Sequence, residues 1–264
     1  AACVESTCLE SLPVPARLYV TPTLALSAGV EWDLDEATSR HVQVLRMQPG
    51  EVVQVFNGQG GQWLAEVLAM GRKVVRLKAL SHETVERELP RAVTLALGMP
   101  ANDRMDGIVE KATELGVTCI QPLMCERSVL RLDGDRAAKK VAHWQGVAIA
   151  AAEQSGRTHV PTIQAVMPFG KWLDQFKATD TDCGVLSLTD AKPIRTWAQA
   201  QTDHTRAVCF LSGPEGGLSP AEESAALSLG WQAVSLGRRV LRADTAPLMA
   251  LGVMASMWES TGEA

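Results

Sequence analysis

The chain has 264 residues, 46% of them hydrophobic and 21% charged, with a formal net charge of −5. That balance is globular, and the length suits one large or two ordinary domains. The mild acidity excludes a protein-wide positive field toward nucleic acid but leaves room for a local basic face, and no apolar run approaches the roughly 18 residues that span a membrane.

Residues 1–16 carry Glu5 and Glu10, lack the pattern of a secretory signal, and are expected to be loosely ordered. Residues 17–84 read as mostly β. A first strand near Leu18-Tyr19-Val20 is followed by a helix over Asp35 to Arg46. Glu51 to Phe56 alternates, Asn57-Gly58-Gln59-Gly60-Gly61 is turn-rich, and Gln62 to Val67 resumes the strand, which predicts a hairpin. Lys73 to Leu80 gives a further strand, and together these suggest a small β-barrel-like domain. The polar run Ser81 to Pro90 marks a domain boundary, with the second domain taken as 85–264.

Beyond it, strands and helices alternate. Val93 to Gly98 is a strand; Asp103 can cap a helix with apolar positions Ile108, Val109, Ala112 and Leu115, stopped by Gly116. Strands are expected over Val117 to Met124, Gly184 to Leu188, Ala207 to Leu211 and Trp231 to Leu236. Asp135 to Glu153 is a long helix, Ser219-Pro220-Ala221-Glu222 has capping-box spacing, and Thr245 can cap a last helix through Trp258. This pattern predicts an α/β domain with a mainly parallel sheet.

Familiar fingerprints are missing. There is no Gly-x-Gly-x-x-Gly, no P-loop and no Gly-x-Ser-x-Gly elbow. The cysteines, at 3, 8, 119, 125, 183 and 209, form no Cys-x-x-Cys and no finger spacing with a histidine, so no metal is expected. Cys119 and Cys209 lie in apolar runs and are expected as buried thiols, which points to the reducing cytoplasm. His143 reads as a packing or surface residue. Arg127, Arg131, Arg136, Lys139 and Lys140 cluster in one segment, either as a solvated helix face or as a basic patch.

Two glycine-containing loops carry the functional signal. Leu211-Ser212-Gly213-Pro214-Glu215-Gly216-Gly217-Leu218-Ser219 runs from a strand into a helix, and so does Leu236-Gly237-Arg238-Arg239-Val240-Leu241-Arg242-Ala243-Asp244-Thr245. A tight strand-to-helix turn also uses glycine and proline, so the first loop alone is not diagnostic. The second adds three arginines beside a helix start, where the macrodipole does not favour them; an anionic or planar partner does. Two such loops side by side would line a pocket with backbone at the C-terminal ends of adjacent strands, suited to a nucleotide-like ligand.

The two loops resemble those of the RsmE-type ribosomal RNA methyltransferases of the SPOUT superfamily. The resemblance continues, in order, through His41-Val42-Gln43-Val44-Leu45-Arg46-Met47, Lys111-Ala112-Thr113-Glu114-Leu115-Gly116-Val117, Cys125-Glu126-Arg127-Ser128 and Ala148 to Arg157, spanning about 17–258. The chain departs from the family's pattern at Arg238, Asp244 and Pro247.

The resemblance implies a C-terminal α/β SPOUT methyltransferase domain with a trefoil knot, against ordinary topology rules, and an N-terminal PUA-like β-barrel. It implies S-adenosyl-L-methionine as donor, N3 of one uridine in 16S ribosomal RNA of the small ribosomal subunit as acceptor, and a homodimer acting without a metal or a membrane. Carried over, the cofactor would meet Leu186, Ser187, Leu188, Leu211, Gly213, Pro214, Glu215, Gly216, Leu236, Gly237, Leu241 and Thr245. Arg242 is the first candidate for stabilising charge on the uracil carbonyls; Glu215 either accepts the N3 proton or fixes its loop. Arg17, Arg40, Arg46, Arg127 and Arg131 are expected on RNA phosphates. Two alternatives stay open: a non-catalytic RNA-binding dimer, and a methyltransferase of this fold acting on another RNA.

Overall fold

The computed structural model describes residues 16–259 apart from 22, 24, 102 and 103, so the expectations for residues 1–15 (with Cys3 and Cys8) and for Asp103 as a cap lie outside the described residues. The chain divides into two compact units at Glu86/Arg87.

In the first unit, β1 (Arg17–Tyr19), β2 (Glu31–Asp33), β3 (Val52–Phe56), β4 (Gln62–Met70) and β5 (Val75–Glu83) form a sheet in the order β1-β3-β4-β5-β2. The hairpin expected between β3 and β4 is antiparallel, pairing Val53 with Ala65 and Val55 with Trp63. Helix α1 (Glu36–Val44) starts at Asp35, whose carboxylate accepts the Thr38 N–H at 2.8 Å. That bond is the main cause holding the Asp35 carboxyl below its usual range. Alternation in β3, β4 and β5 sends Val53, Val55, Ala65, Val67, Val75 and Leu77 into one core, with Leu18 and Val42.

The second unit is built on β6 (Val93–Gly98), β7 (Cys119–Met124), β8 (Thr162–Ile163), β9 (Met167–Pro168), β10 (Thr181–Leu186), β11 (Lys192–Pro193), β12 (Ala207–Ser212) and β13 (Gln232–Ser235). Every pairing in this sheet is parallel, and the order is β11-β13-β10-β12-β6-β7-β8, with β9 also on β7. Its helices are α2 (Arg104–Glu114), α3 (Gly134–Ser155), α4 (Phe169–Gln175), α5 (Ile194–Gln199), α6 (Pro220–Ser228) and α7 (Thr245–Glu259).

Both faces of the sheet are covered, as a parallel sheet requires. Leu95, Leu97, Val208 and Phe210 pack with α2, α3, α5 and α7; the intervening Ala96, Cys209 and Leu211 pack with α4 and α6. Helix α6 carries a full capping box, Ser219 Oγ accepting from Glu222 N–H while the Glu222 carboxylate accepts the Ser219 N–H.

Two expectations need correction. Thr245 is the first residue of α7 rather than its cap: the carbonyl of Arg242 receives the Thr245 and Ala246 N–H groups, both at 3.0 Å, and the Thr245 hydroxyl turns to Asp244. Cys119 is only half-buried, whereas Cys125, Cys183 and Cys209 are buried. The short elements β8, β9, α4, β11 and α5 carry too few residues for a period to be read.

Candidate functional site

Strands β13, β10, β12 and β6 are neighbours and run the same way, so their C-terminal ends share one edge of the sheet. The loops that leave this edge enclose a cavity of about 660 Å³, within the range of small-molecule sites. Leu186, Ser187 and Leu188 come from the end of β10; Ser212 to Gly217 come from β12. Val234, Leu236 and Arg239 to Ala243 come from β13 and its loop, with Ala246 of α7 and Arg104 of α2 closing the ring.

The first loop is held by close contact. Gly98 ends β6 directly beneath Pro214, and a β-carbon there would lie 2.5 Å from the proline ring and 2.9 Å from Cys125 Sγ. At Gly213 a β-carbon would stand 2.4 Å from the Leu218 nitrogen, so only glycine lets the loop fold back on itself. Burial, with the nearby Glu222 carboxylate second, pushes the Cys125 thiol up to about 12, which keeps it protonated.

Polar ties add to this. Glu215 Oε1 accepts the Ala101 N–H at 2.9 Å and pairs with Arg104 Nη1 at 3.3 Å. Arg127 Nη1 donates to the carbonyls of Gly216 and Leu218 at 2.9 and 3.2 Å. The second loop has fewer ties. Gly237 adopts φ +114, a left-handed backbone suited to glycine, and its N–H donates to Ser235 Oγ at 3.2 Å. Arg238, Arg239, Val240 and Arg242 are exposed, Val240 by 81%.

Of the residues expected at a cofactor, Leu186, Ser187, Leu188, Gly213, Pro214, Glu215, Gly216, Leu236 and Leu241 line the cavity, and so does Arg242. Leu211 instead points into the core, Gly237 lies outside the lining, and Thr245 faces a separate groove between α2 and α7. The predicted cofactor set missed Arg104, Ser212, Gly217, Val234, Arg239, Val240, Ala243 and Ala246. For Arg239 the signal was present in the arginine run, while Arg104 comes from a distant helix start that only the fold brings here. Three arginines against one glutamate give the cavity a positive lining, which suits a ligand carboxylate or a phosphate.

The expected RNA contacts are dispersed. In the first unit the Arg17 guanidinium lies 4.4 Å from the Phe56 ring centre, Arg40 pairs with Glu36 on the helix surface, and Arg46 is exposed with a left-handed φ of 57. In the second, Arg131 Nη2 donates to the Glu126 carbonyl at 2.9 Å, and Arg127 is engaged with the first glycine loop as described. Histidine 143 is a surface residue that bonds Asp106 at 2.7 Å. Among the described residues no cluster of histidine, cysteine and carboxylate side chains could hold a metal ion, and no helix is long and apolar enough to cross a membrane.

Comparison with known proteins follows this division. Residues 87–255 match the family described as RNA methyltransferase domain, and residues 34–80 match the RNA methyltransferase PUA domain. Ribosomal RNA small subunit methyltransferase E of Synechocystis sp. is 34% identical over 97% of this chain and 82% of its own. The protein of the same name from Bacillus subtilis is 32% identical over 83% of this chain and 86% of its own. Among solved structures, ribosomal RNA small subunit methyltransferase E from Neisseria gonorrhoeae, bound to S-adenosyl methionine, superposes with a TM-score of 0.85 at 36% identity, covering 92% of this chain and 98% of that one. A putative methyltransferase from Legionella pneumophila in complex with the same cofactor gives 0.84 at 31% identity, with the same coverage of each chain. With its parallel-sheet unit matching one family and its smaller unit the other, and with relatives alike along nearly the whole length, the chain belongs to the ribosomal RNA small subunit methyltransferase E family.

Proposed function

We propose that this protein transfers a methyl group from S-adenosyl-L-methionine to N3 of a uridine in 16S ribosomal RNA of the small ribosomal subunit. The observation that carries the reading is the cavity itself: loops from three neighbouring parallel strands, one packed too tightly for any residue but glycine at 213, around a space with a positive lining. Close backbone approach and a few polar side chains suit an adenosine bearing an amino acid. The two solved relatives with this cofactor bound support the assignment.

When bound, the cofactor supplies a methyl group on a positively charged sulfur, already activated for transfer. The chain's task is then alignment and charge stabilisation. Leu186, Leu188, Leu236 and Leu241 give the apolar part of the wall, and Gly213 to Gly217 the backbone part. Arg242 sits where its carbonyl starts α7 and its side chain lines the cavity. It stabilises the negative charge that grows on the uracil carbonyl oxygens as N3 gives up its proton to solvent water. Glu215 holds the loop: its carboxylate is taken by the Ala101 N–H and by Arg104.

Arg17, Arg40, Arg46 and Arg131 contact RNA phosphates, so RNA affinity falls as salt rises. The smaller unit acts as a PUA-like barrel. The C-terminal segment threads a trefoil knot, as the family resemblance implies. The enzyme acts in the cytoplasm as a homodimer, and the apolar groove between α2 and α7, lined by Ile108, Leu115 and Leu248, is the candidate contact. The test is mass mapping of methylated nucleosides in 16S ribosomal RNA from cells lacking the protein, together with calorimetry of cofactor binding. Loss of one N3-methyluridine supports the reading. Unchanged 16S ribosomal RNA with a methyl missing from another RNA would move the activity to that substrate.

A further inference from the structure

The segment after β7 makes no part of the cavity wall, yet it is built against the first glycine loop. Cys125 N–H donates to Ser128 Oγ at 3.0 Å and Ser128 N–H returns to the Cys125 carbonyl at 3.1 Å, which closes a tight turn. From that turn the Glu126 N–H reaches Glu222 Oε1 at 2.8 Å, while the other oxygen of the same carboxylate accepts the Ser219 N–H at 2.9 Å. The turn therefore grips the start of α6. Arg127 grips the loop ahead of it through the carbonyls of Gly216 and Leu218. Its stem is so close that a β-carbon on Gly216 would lie 3.2 Å from Arg127 Cβ.

One peptide explains what this contact does. The carbonyl of Gly216 goes to Arg127, and the N–H of the same peptide, on Gly217, goes to the Pro214 carbonyl at 2.8 Å. A trans peptide points these groups in opposite directions, so the plane is held at both ends. Two glycines flank it, and glycine allows a wide range of alternative planes. With Arg127 absent, one end is released and the loop gains conformations that do not fit the ligand.

We propose that Arg127 is a positioning residue for the cofactor: it acts through the Gly216–Gly217 peptide to hold the first loop in its binding shape, and RNA phosphate is not its partner. This rests on the cofactor reading given above. The guanidinium suits the task because the two N–H bonds of one terminal nitrogen, Nη1, reach two carbonyls and the charge strengthens both bonds.

The test compares the parent with Arg127→Ala, Arg127→Gln and Arg127→Lys in the full-length protein. S-adenosylmethionine binding is measured by calorimetry, KM for cofactor and for RNA separately, and RNA affinity across a salt series. Arg127→Ala is expected to weaken cofactor binding and raise the cofactor KM by about tenfold or more, as loss of charged hydrogen bonds implies. The RNA KM and the salt slope stay at parental values, and Arg127→Lys recovers part of the cofactor affinity. Where the alanine variant does not fold, Arg127→Gln carries the same measurement. Parental cofactor affinity in a folded variant overturns the proposal, whether RNA binding falls with a shallower salt slope or only the melting temperature drops. A parent that does not bind the cofactor overturns the functional reading itself, and is distinguished because it fails before any substitution is made.

Discussion

The two loops that face each other across the cavity are built in opposite ways. The first, Gly213 to Ser219, is tied from three sides: by Glu215 to Ala101 and Arg104, by Arg127 through two carbonyls, and by Glu222 through the capping box. The second, Leu236 to Asp244, is tied at Gly237 only to the neighbouring Ser235 hydroxyl, through its N–H and its carbonyl, and leaves Arg238, Arg239 and Val240 exposed. A preformed loop limits the ordering that a ligand must impose, while an open loop can adjust to a larger partner. On the proposed function, the first loop would hold the cofactor and the second would meet the RNA base.

Substitutions can break this contrast. The largest effect is expected at Arg242 in the open loop. Arg242→Ala should lower the single-turnover methyl-transfer rate by about 10²–10³-fold while cofactor affinity changes little, because a group aimed at developing charge acts mainly in the transition state. A parental rate in a stable variant would remove Arg242 from the chemistry.

Next comes the tied loop. Gly213→Ala places a methyl 2.4 Å from the Leu218 nitrogen, and overpacking of this kind costs about 1–3 kcal/mol. Calorimetry should show cofactor binding weakened accordingly, and unchanged affinity would mean that the loop is not preformed. Ser219→Ala removes the side-chain half of the α6 cap and should cost about 1 kcal/mol in urea unfolding, with a rise in cofactor Kd if the cap helps to hold the loop. The smallest effect is expected at Val240→Ala, within about 0.5 kcal/mol in stability. A larger loss there would show that the second loop is also tightly packed in the free protein.

Much of this molecule was legible along the chain. The β3–β4 hairpin, α1, α3, and α6 with its capping box fall close to where period and turn residues put them. The glycine loops were legible because a backbone-lined site needs residues without side chains at fixed places. Short elements such as β9 and α5 were not, since two to six residues define no period. Thr245 shows the limit for helix ends: Ser, Thr and Asp all suit a cap, and the Arg242 carbonyl decided where α7 begins.

What the sequence determined by itself was local. It set the order of strands and helices, the apolar alternation that buries both faces of the second sheet, and the identity of the two loops. Which strands become neighbours was decided only by tertiary structure, because parallel pairing joins residues far apart in the chain; Val208 meets Val93 and Gly184 meets Gln232. That pairing brings Arg104 and Ala101 to Glu215 across more than 100 positions. It also takes Arg127 out of the apparent basic cluster and sets it on the carbonyls of Gly216 and Leu218. A charge read from sequence has a sign but no direction, and only the packed fold decides whether it points to solvent, to RNA or to its own backbone.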